Sequence, residues 1–266
     1  MTAVIEGRVP RIASLVPSIT ELLVALGLGE LLVARTGFCI HPAEALRAVP
    51  KVGGTKDVNM AKLRRLAPTH VIVNVDENRR ETAEALREFV PTVIVTHPQS
   101  PADNLALIEQ MREHFGGLAG VAGRCDELAD KLRGALARCY SQAWPPQRVL
   151  YLIWREPWMT VARDTYIARM LATVGWQTWP ALDGGESGAA RYPALSSDGG
   201  DEPWLAQIDR VLLSSEPYRF GEQHLALAQA LCPQASVALV DGELLSWYGP
   251  RAALGLDYLR NLANGA

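Results

Sequence analysis

The sequence predicts an α/β protein of two lobes, each with a mainly parallel sheet, joined by one long rigid helix. Three observations predict this. Short apolar runs alternate with amphipathic segments almost from the first residues, the pattern of strands covered by helices. A proline-free stretch, 118–140, repeats leucine and alanine at helical spacing (Leu128, Leu132, Ala135, Leu136). It reads as one helix of about six turns at 3.6 residues per turn. Finally, the block 63–74 (short helix, break, buried strand) returns as 204–215, a spacing of about 140 residues that is too long for a solenoid and suggests two similar halves.

The elements follow in order. Residues 11–16 form the first strand, which Pro17-Ser18 breaks. Ser18-Ile19-Thr20-Glu21 has the form of a capping box opening a helix through Leu26, with Gly27 and Gly29 ending it. A strand at 31–34 precedes a short helix at 60–66, which Ala67-Pro68 stops. A buried strand at 70–74, a helix at 79–89, a strand at 92–96 and a helix at 103–115 complete the first half. After the long helix, Trp144-Pro145-Pro146 intervenes and a strand restarts at 148–153. The echo at 204–215 continues into a helix at 221–231 and a strand at 236–240. The boundaries are therefore an N-terminal lobe at 1–117, a linking helix within 118–144 and a C-terminal lobe at 145–266, both lobes Rossmann-like.

Composition narrows the function classes. The 266 residues are 48% hydrophobic and 21% charged, and 26 basic against 29 acidic residues leave a net charge of −3. That balance offers no electrostatic footprint for nucleic acid or an anionic membrane, and no apolar run approaches the roughly 20 residues that span a bilayer. Residues 1–8 have neither the basic nor the apolar region of a secretory leader. This points to the cytoplasm, unless a leader lies outside this sequence. Cys39, Cys125, Cys139 and Cys232 show no CxxC spacing and read as buried or idle thiols.

Catalytic signatures are missing. Neither phosphate-binding glycine pattern, GxxxxGK[ST] or GxGxxG, follows a strand, and there is no GxSxG elbow. Gly53-Gly54-Thr55-Lys56 reads as a plain turn. The five histidines lack the spacing that puts two imidazoles on one helix face. His70 reads as structural, whereas His41 and His97 lie in loops after strands where ligand contact is feasible. No catalytic residue, protein-held metal or cofactor is expected. A competing reading, a cytosolic α/β enzyme, would need an acid–base set such as His41 with Asp57 or Glu156.

Aromatic placement is the positive signal. All seven tryptophans lie at position 144 or later. Trp154, Trp176 and Trp204 are expected in the core. Trp158, in Arg155-Glu156-Pro157-Trp158, and Trp247, in Ser246-Trp247-Tyr248-Gly249-Pro250, are expected as flat walls for a large, partly apolar ligand, because sites in α/β sheets lie at the carboxyl ends of strands.

Together these features resemble a known family. Ser14-Leu15-Val16-Pro17-Ser18-Ile19-Thr20-Glu21-Leu22 is similar to its first strand–turn–helix. Val49-Pro50-Lys51-Val52-Gly53-Gly54, followed by Asp57-Val58-Asn59-Met60, is similar to its glycine loop and helix start. Leu66-Ala67-Pro68-Thr69-His70-Val71-Ile72-Val73 resembles its helix, proline and buried-strand block. The family is the helical-backbone (class III) substrate-binding proteins of metal-chelate ABC importers, and the pattern is most similar to its cobalamin-binding branch.

The resemblance implies a monomeric, non-enzymatic receptor, placed in the periplasm. It would capture a metal chelate in the inter-lobe cleft (cobalamin or a similar corrinoid, else haem or a ferric siderophore) and deliver it to an ABC permease dimer. The ligand-facing positions it implies are Pro17, Phe38, Gly53, Gly54 and Thr55 in the first lobe, with Trp158, Trp247, Tyr248 and Arg251 in the second. Glu81 and Glu222 are the implied permease-docking carboxylates, with Glu84 an alternative to Glu81. One departure stands out: Asn74-Val75-Asp76-Glu77 replaces a stretch where the cobalamin branch tends to carry an aromatic, which admits a smaller or more polar chelate. A cytosolic chelate carrier or sensor of the same fold, without a transporter, is the other alternative.

Overall fold

A computed structural model describes residues 9–185, 188–196 and 202–265; the leader reading of residues 1–8 falls outside them. The chain forms two compact units. The first comprises Met1–Pro98, Ala102–Leu132 and Tyr248–Pro250, and the second Gln99–Pro101, Arg133–Trp247 and Arg251–Ala266.

In the first unit, β1 (Ile12–Ser14), β2 (Leu32–Arg35), β3 (His70–Asn74) and β4 (Thr92–Thr96) form a parallel sheet in the order β2-β1-β3-β4. Every residue of β1 and β3 is buried, as expected for central parallel strands covered on both faces. Their apolar side chains meet those of the flanking helices in a core that includes Ala13, Leu15, Ala34, Leu63, Val71, Val73 and Leu86. The helices are α1 (Pro17–Ala25), α2 (Ala43–Leu46), α3 (Met60–Arg65), α4 (Arg80–Leu86) and α5 (Asn104–Phe115).

The expected capping box at Ser18 is not formed. Pro17 stands at the first helical position, Val16 is the N-cap without a side-chain bond, and Ser18 lies within the helix. Proline has no N–H to lose there and its φ suits the helix, so the helix starts two residues earlier. Thr20 instead donates its hydroxyl to Ser14 Oγ and Val16 O, both at 2.8 Å. At the other end Gly27, with φ +79, ends the helix in the left-handed conformation that glycine adopts without steric cost.

The long helix α6 (Val121–Tyr140) runs for 20 residues. The second unit then builds β5 (Gln147–Leu152), α7 (Tyr166–Ala172), β6 (Trp176–Thr178), β7 (Arg210–Ser214), α8 (Leu225–Leu231), β8 (Ser236–Val240), α9 (Gly242–Ser246) and α10 (Pro250–Ala263). Its sheet is also parallel, in the order β6-β5-β7-β8, the first unit's order repeated four strands later. Its core includes Leu150, Leu152, Val211, Leu213 and Phe220. The helix expected at 221–231 is a single 3₁₀ turn, Glu222–His224, followed by α8. All four cysteines are buried, free thiols.

Candidate ligand-binding site

Each sheet has a switch point: the chain leaves the first strand to one side for the second and returns on the other side for the third. Loops at the carboxyl ends diverge there and leave a crevice. In the first unit the loops after β1, β2 and β3 meet around Asn78. Its amide nitrogen donates to Leu15 O at 3.2 Å and Thr55 O at 2.9 Å, and its Oδ1 accepts from Asn74 N at 2.9 Å. Asn74 is itself committed internally, its Oδ1 accepting from the Asp76 amide at 2.8 Å.

The loop after β2 is shaped by Arg35. This buried guanidinium donates to Cys39 O at 2.9 Å and Leu46 O at 3.2 Å, carbonyl partners that pin the loop to the strand end. The loop so held leaves Phe38 62% exposed. Phe38 lies over the glycine loop: a Cβ on Gly54 would stand 3.3 Å from its ring. Gly53 has φ +104, and a Cβ there would fall 2.3 Å from Asp57 O. Its carbonyl accepts from Gly37 N at 2.7 Å, while Gly54 N donates to Asp57 O at 3.1 Å. Glycine is therefore required at position 53 by backbone conformation and close approach, while at 54 it gives the aromatic ring room to sit close.

In the second unit the switch point lies between β5 and β7, and each strand is followed by Glu-Pro-aromatic: Glu156-Pro157-Trp158 and Glu216-Pro217-Tyr218. Tyr218 N donates to Ile153 O at 3.2 Å, tying the two loops together. Trp154, two residues beyond β5, is 41% exposed, and its ring meets Tyr218 edge-on at 5.6 Å. Beneath this aromatic surface Trp158 stacks on Phe220 with 8° between ring planes. Tyr218 Oη pairs with His224 Nε2 at 3.2 Å.

Beside it sits a carboxylate. Glu216 Oε1 accepts from Ser246 Oγ at 2.6 Å and from Trp247 Nε1 at 2.8 Å. Burial pushes its pKa above the ordinary carboxylate value and Glu243 adds to the rise, while the two hydrogen bonds and Arg251 pull against it. Arg251 Nη1 pairs with Glu243 Oε2 at 2.7 Å and lies over the Trp247 ring at 4.7 Å.

The family described as periplasmic binding protein matches residues 12–194, more than half of the chain. The chain belongs to that family. Among curated relatives it is similar to a vitamin B12-binding protein of Vibrio vulnificus, 26% identical over 216 residues, which span 81% of this chain and 72% of that protein. It is also similar to an uncharacterized ABC transporter substrate-binding lipoprotein of Bacillus subtilis, 26% identical over 62% of this chain and 53% of that one. Among solved structures, the periplasmic vitamin B12-binding protein of Vibrio cholerae superposes with a TM-score of 0.78 at 20% identity, covering 97% of this chain and 98% of that one. A periplasmic heme-binding protein from Roseiflexus sp. RS-1 gives 0.74 at 23% identity, covering 97% and 99%. The two-lobe α/β fold read from the sequence is the fold of these binding proteins.

The family's binding role gives the positions named from sequence their interest. Pro17 is half-buried at the start of α1, while Phe38, Gly53, Gly54 and Thr55 lie together in one surface of the first unit. One second-half reading needs correction. Trp154, expected in the core, is exposed, because β5 ends at Leu152 and the side chain falls beyond the sheet. Trp247, expected as a wall, and Tyr248, a position the resemblance implies, are 8% and 6% exposed, and the Trp247 indole N–H donates to Glu216. Arg251, expected to meet ligand, is ion-paired with Glu243.

Trp158 is half-buried against Phe220, and Trp176 and Trp204 pack inward as expected. Of the acid–base candidates, Asp57 faces Arg79 at 3.3 Å and Glu156 faces Arg155 at 3.5 Å. Among the described residues no three His, Cys, Asp or Glu side chains are grouped to hold a metal ion, and no helix is long and apolar enough to cross a membrane. Glu81 is exposed in the first turn of α4, and Glu222 is exposed at the start of its 3₁₀ turn. Glu84, the alternative to Glu81, is ion-paired with Arg80 at 2.9 Å.

Tyr218 and Glu216 were not singled out from sequence. The signal that could have found them is the repeat of Glu-Pro-aromatic after two strands of one predicted sheet.

Proposed function

We propose that this chain is a non-enzymatic substrate-binding receptor. It captures a metal chelate against the strand-end surfaces carrying Phe38 and Trp154 and hands it to an ABC importer. One observation carries the reading: in a member of this family, the carboxyl ends of both sheets present an exposed aromatic ring on a hydrogen-bonded loop. Flat rings of this kind cover a planar macrocycle at little entropic cost. The relatives named for vitamin B12 and the structural neighbours named for vitamin B12 and heme support a tetrapyrrole-type chelate ahead of a ferric siderophore.

Pro17, Gly53, Gly54 and Thr55 supply backbone approach to the ligand beside Phe38. Trp158 backs the second surface, and Trp247, Tyr248 and Arg251 act as its support. Glu81 and Glu222 dock the receptor on the permease, and their exposure fits that role. The receptor works as a monomer outside the inner membrane. Titration of tryptophan fluorescence with cyanocobalamin, hemin and a ferric siderophore tests this reading. Saturable quenching by at least one at micromolar concentration is expected, and no response to any of them overturns it.

A further inference from the structure

Glu216 is built unlike an ordinary surface carboxylate. Two donors, Ser246 Oγ and Trp247 Nε1, converge on the same oxygen, Oε1. Its Oε2 accepts no hydrogen bond among the described residues, although the side chain is half-buried. The residue lies two positions past β7, and Tyr218 two positions further on meets Trp154. The floor under it is cut to fit: a Cβ on Gly242 would stand 2.8 Å from Glu216 Cγ and 2.3 Å from Ser214 Oγ. Ser214 Oγ in turn donates to the Glu216 carbonyl at 2.6 Å and accepts from Tyr151 Oη at 3.0 Å. Backbone and carboxylate are both fixed, so a ligand meeting Oε2 does not have to order it.

The charge balance gives the site a preference. Arg251, whose charge acts on this carboxylate, is ion-paired with Glu243, and Glu216 itself forms no ion pair among the described residues. An ionised carboxylate only accepts hydrogen bonds. It complements N–H donors and repels other carboxylates. We propose that Glu216 is a specificity-determining residue whose Oε2 accepts a hydrogen bond from an amide N–H on the ligand rim, selecting amide-rimmed chelates over carboxylate-rimmed ones. This rests on the receptor reading above and narrows it to a substrate class.

The test compares cyanocobalamin with a corrin whose peripheral amides have been hydrolysed to carboxylates, by calorimetric titration of the full chain. Wild type is expected to favour the amide form by about tenfold or more, the worth of one charge-assisted hydrogen bond. Glu216→Gln keeps an acceptor for Ser246 and Trp247 but presents an NH₂ donor at the other end. It is expected to shift that ratio about tenfold toward the carboxylate form. An unchanged ratio in a variant that still binds overturns the role of Glu216 alone. Equal affinity of wild type for the two corrins overturns it without recourse to any variant. No binding by wild type to either corrin, or to hemin and a ferric siderophore, overturns the receptor reading as well.

Discussion

The indole N–H of Trp247 donates to Glu216 Oε1 at 2.8 Å, so one of the two tryptophans expected as ligand walls holds a carboxylate in place. Its ring is covered on one side by the Arg251 guanidinium, and its fused rings are buried. Replacing it by Phe keeps most of the packing and removes the donor. The expected cost is about 1–3 kcal/mol of stability, from a lost hydrogen bond to a charged group, read as a shift of the urea midpoint without change in slope.

Phe38 and Trp154 carry the opposite expectation. Both are exposed, and surface truncations away from caps and networks usually change stability by less than about 0.5 kcal/mol. Phe38→Ala and Trp154→Ala should therefore unfold close to wild type. Each should weaken chelate binding about tenfold or more, within the range for losing an aromatic contact. Titration of each variant beside its thermal unfolding curve separates the two effects.

Gly53→Ala tests the glycine loop. The new methyl would meet the Asp57 carbonyl on a backbone with φ +104, and a strained residue of this kind costs roughly 1–3 kcal/mol. The loop must shift to relieve it, and the seat of Phe38 shifts too. Lower stability and weaker binding are expected together, in contrast to Phe38→Ala.

His70 and His114 give a pH dependence. Their rings lie 6.3 Å apart. Burial lowers both pKa values below 6.5, and the His114 charge lowers that of His70 further. Below the unfolded value of 6.5 the unfolded chain binds more protons than the native one, so stability falls with falling pH. The loss begins below 6.5 and is complete below the two native values. Urea midpoints measured across this window should decline for wild type, and less steeply for His114→Gln, which removes one titration and its repulsion of His70.

Much of the fold was legible because central parallel strands are short apolar runs. The strands at 70–74, 92–96 and 236–240 match β3, β4 and β8 residue for residue. The repeated strand order gives the internal echo between 63–74 and 204–215 its meaning. The site was less legible. The loop residues of the first unit were named through the family resemblance, since turn chemistry by itself marks Gly53-Gly54-Thr55-Lys56 only as a turn. The second unit departed from expectation at Trp154: local sequence does not say which indole finds a partner for its N–H. Trp247 finds Glu216, 31 residues away in sequence, and Trp154 is left at the surface. β6 and α7 went unread because Trp176–Thr178 is only three residues long and Tyr166–Ala172 only seven, too short for periodicity to register.

Docking is tested by uptake. The paired change Glu81→Ala and Glu222→Ala removes two exposed carboxylates, so stability and chelate affinity should stay near wild type. Transport through the cognate permease should fall sharply. Undiminished uptake would show that these carboxylates do something else.

The most direct measurement is calorimetric titration of wild type and of the Phe38→Ala, Trp154→Ala double variant with cyanocobalamin and hemin. Wild type is expected to bind at least one chelate saturably and one-to-one, and a double variant that remains folded is expected to lose that binding. A folded double variant that binds as tightly as wild type would contradict that expectation.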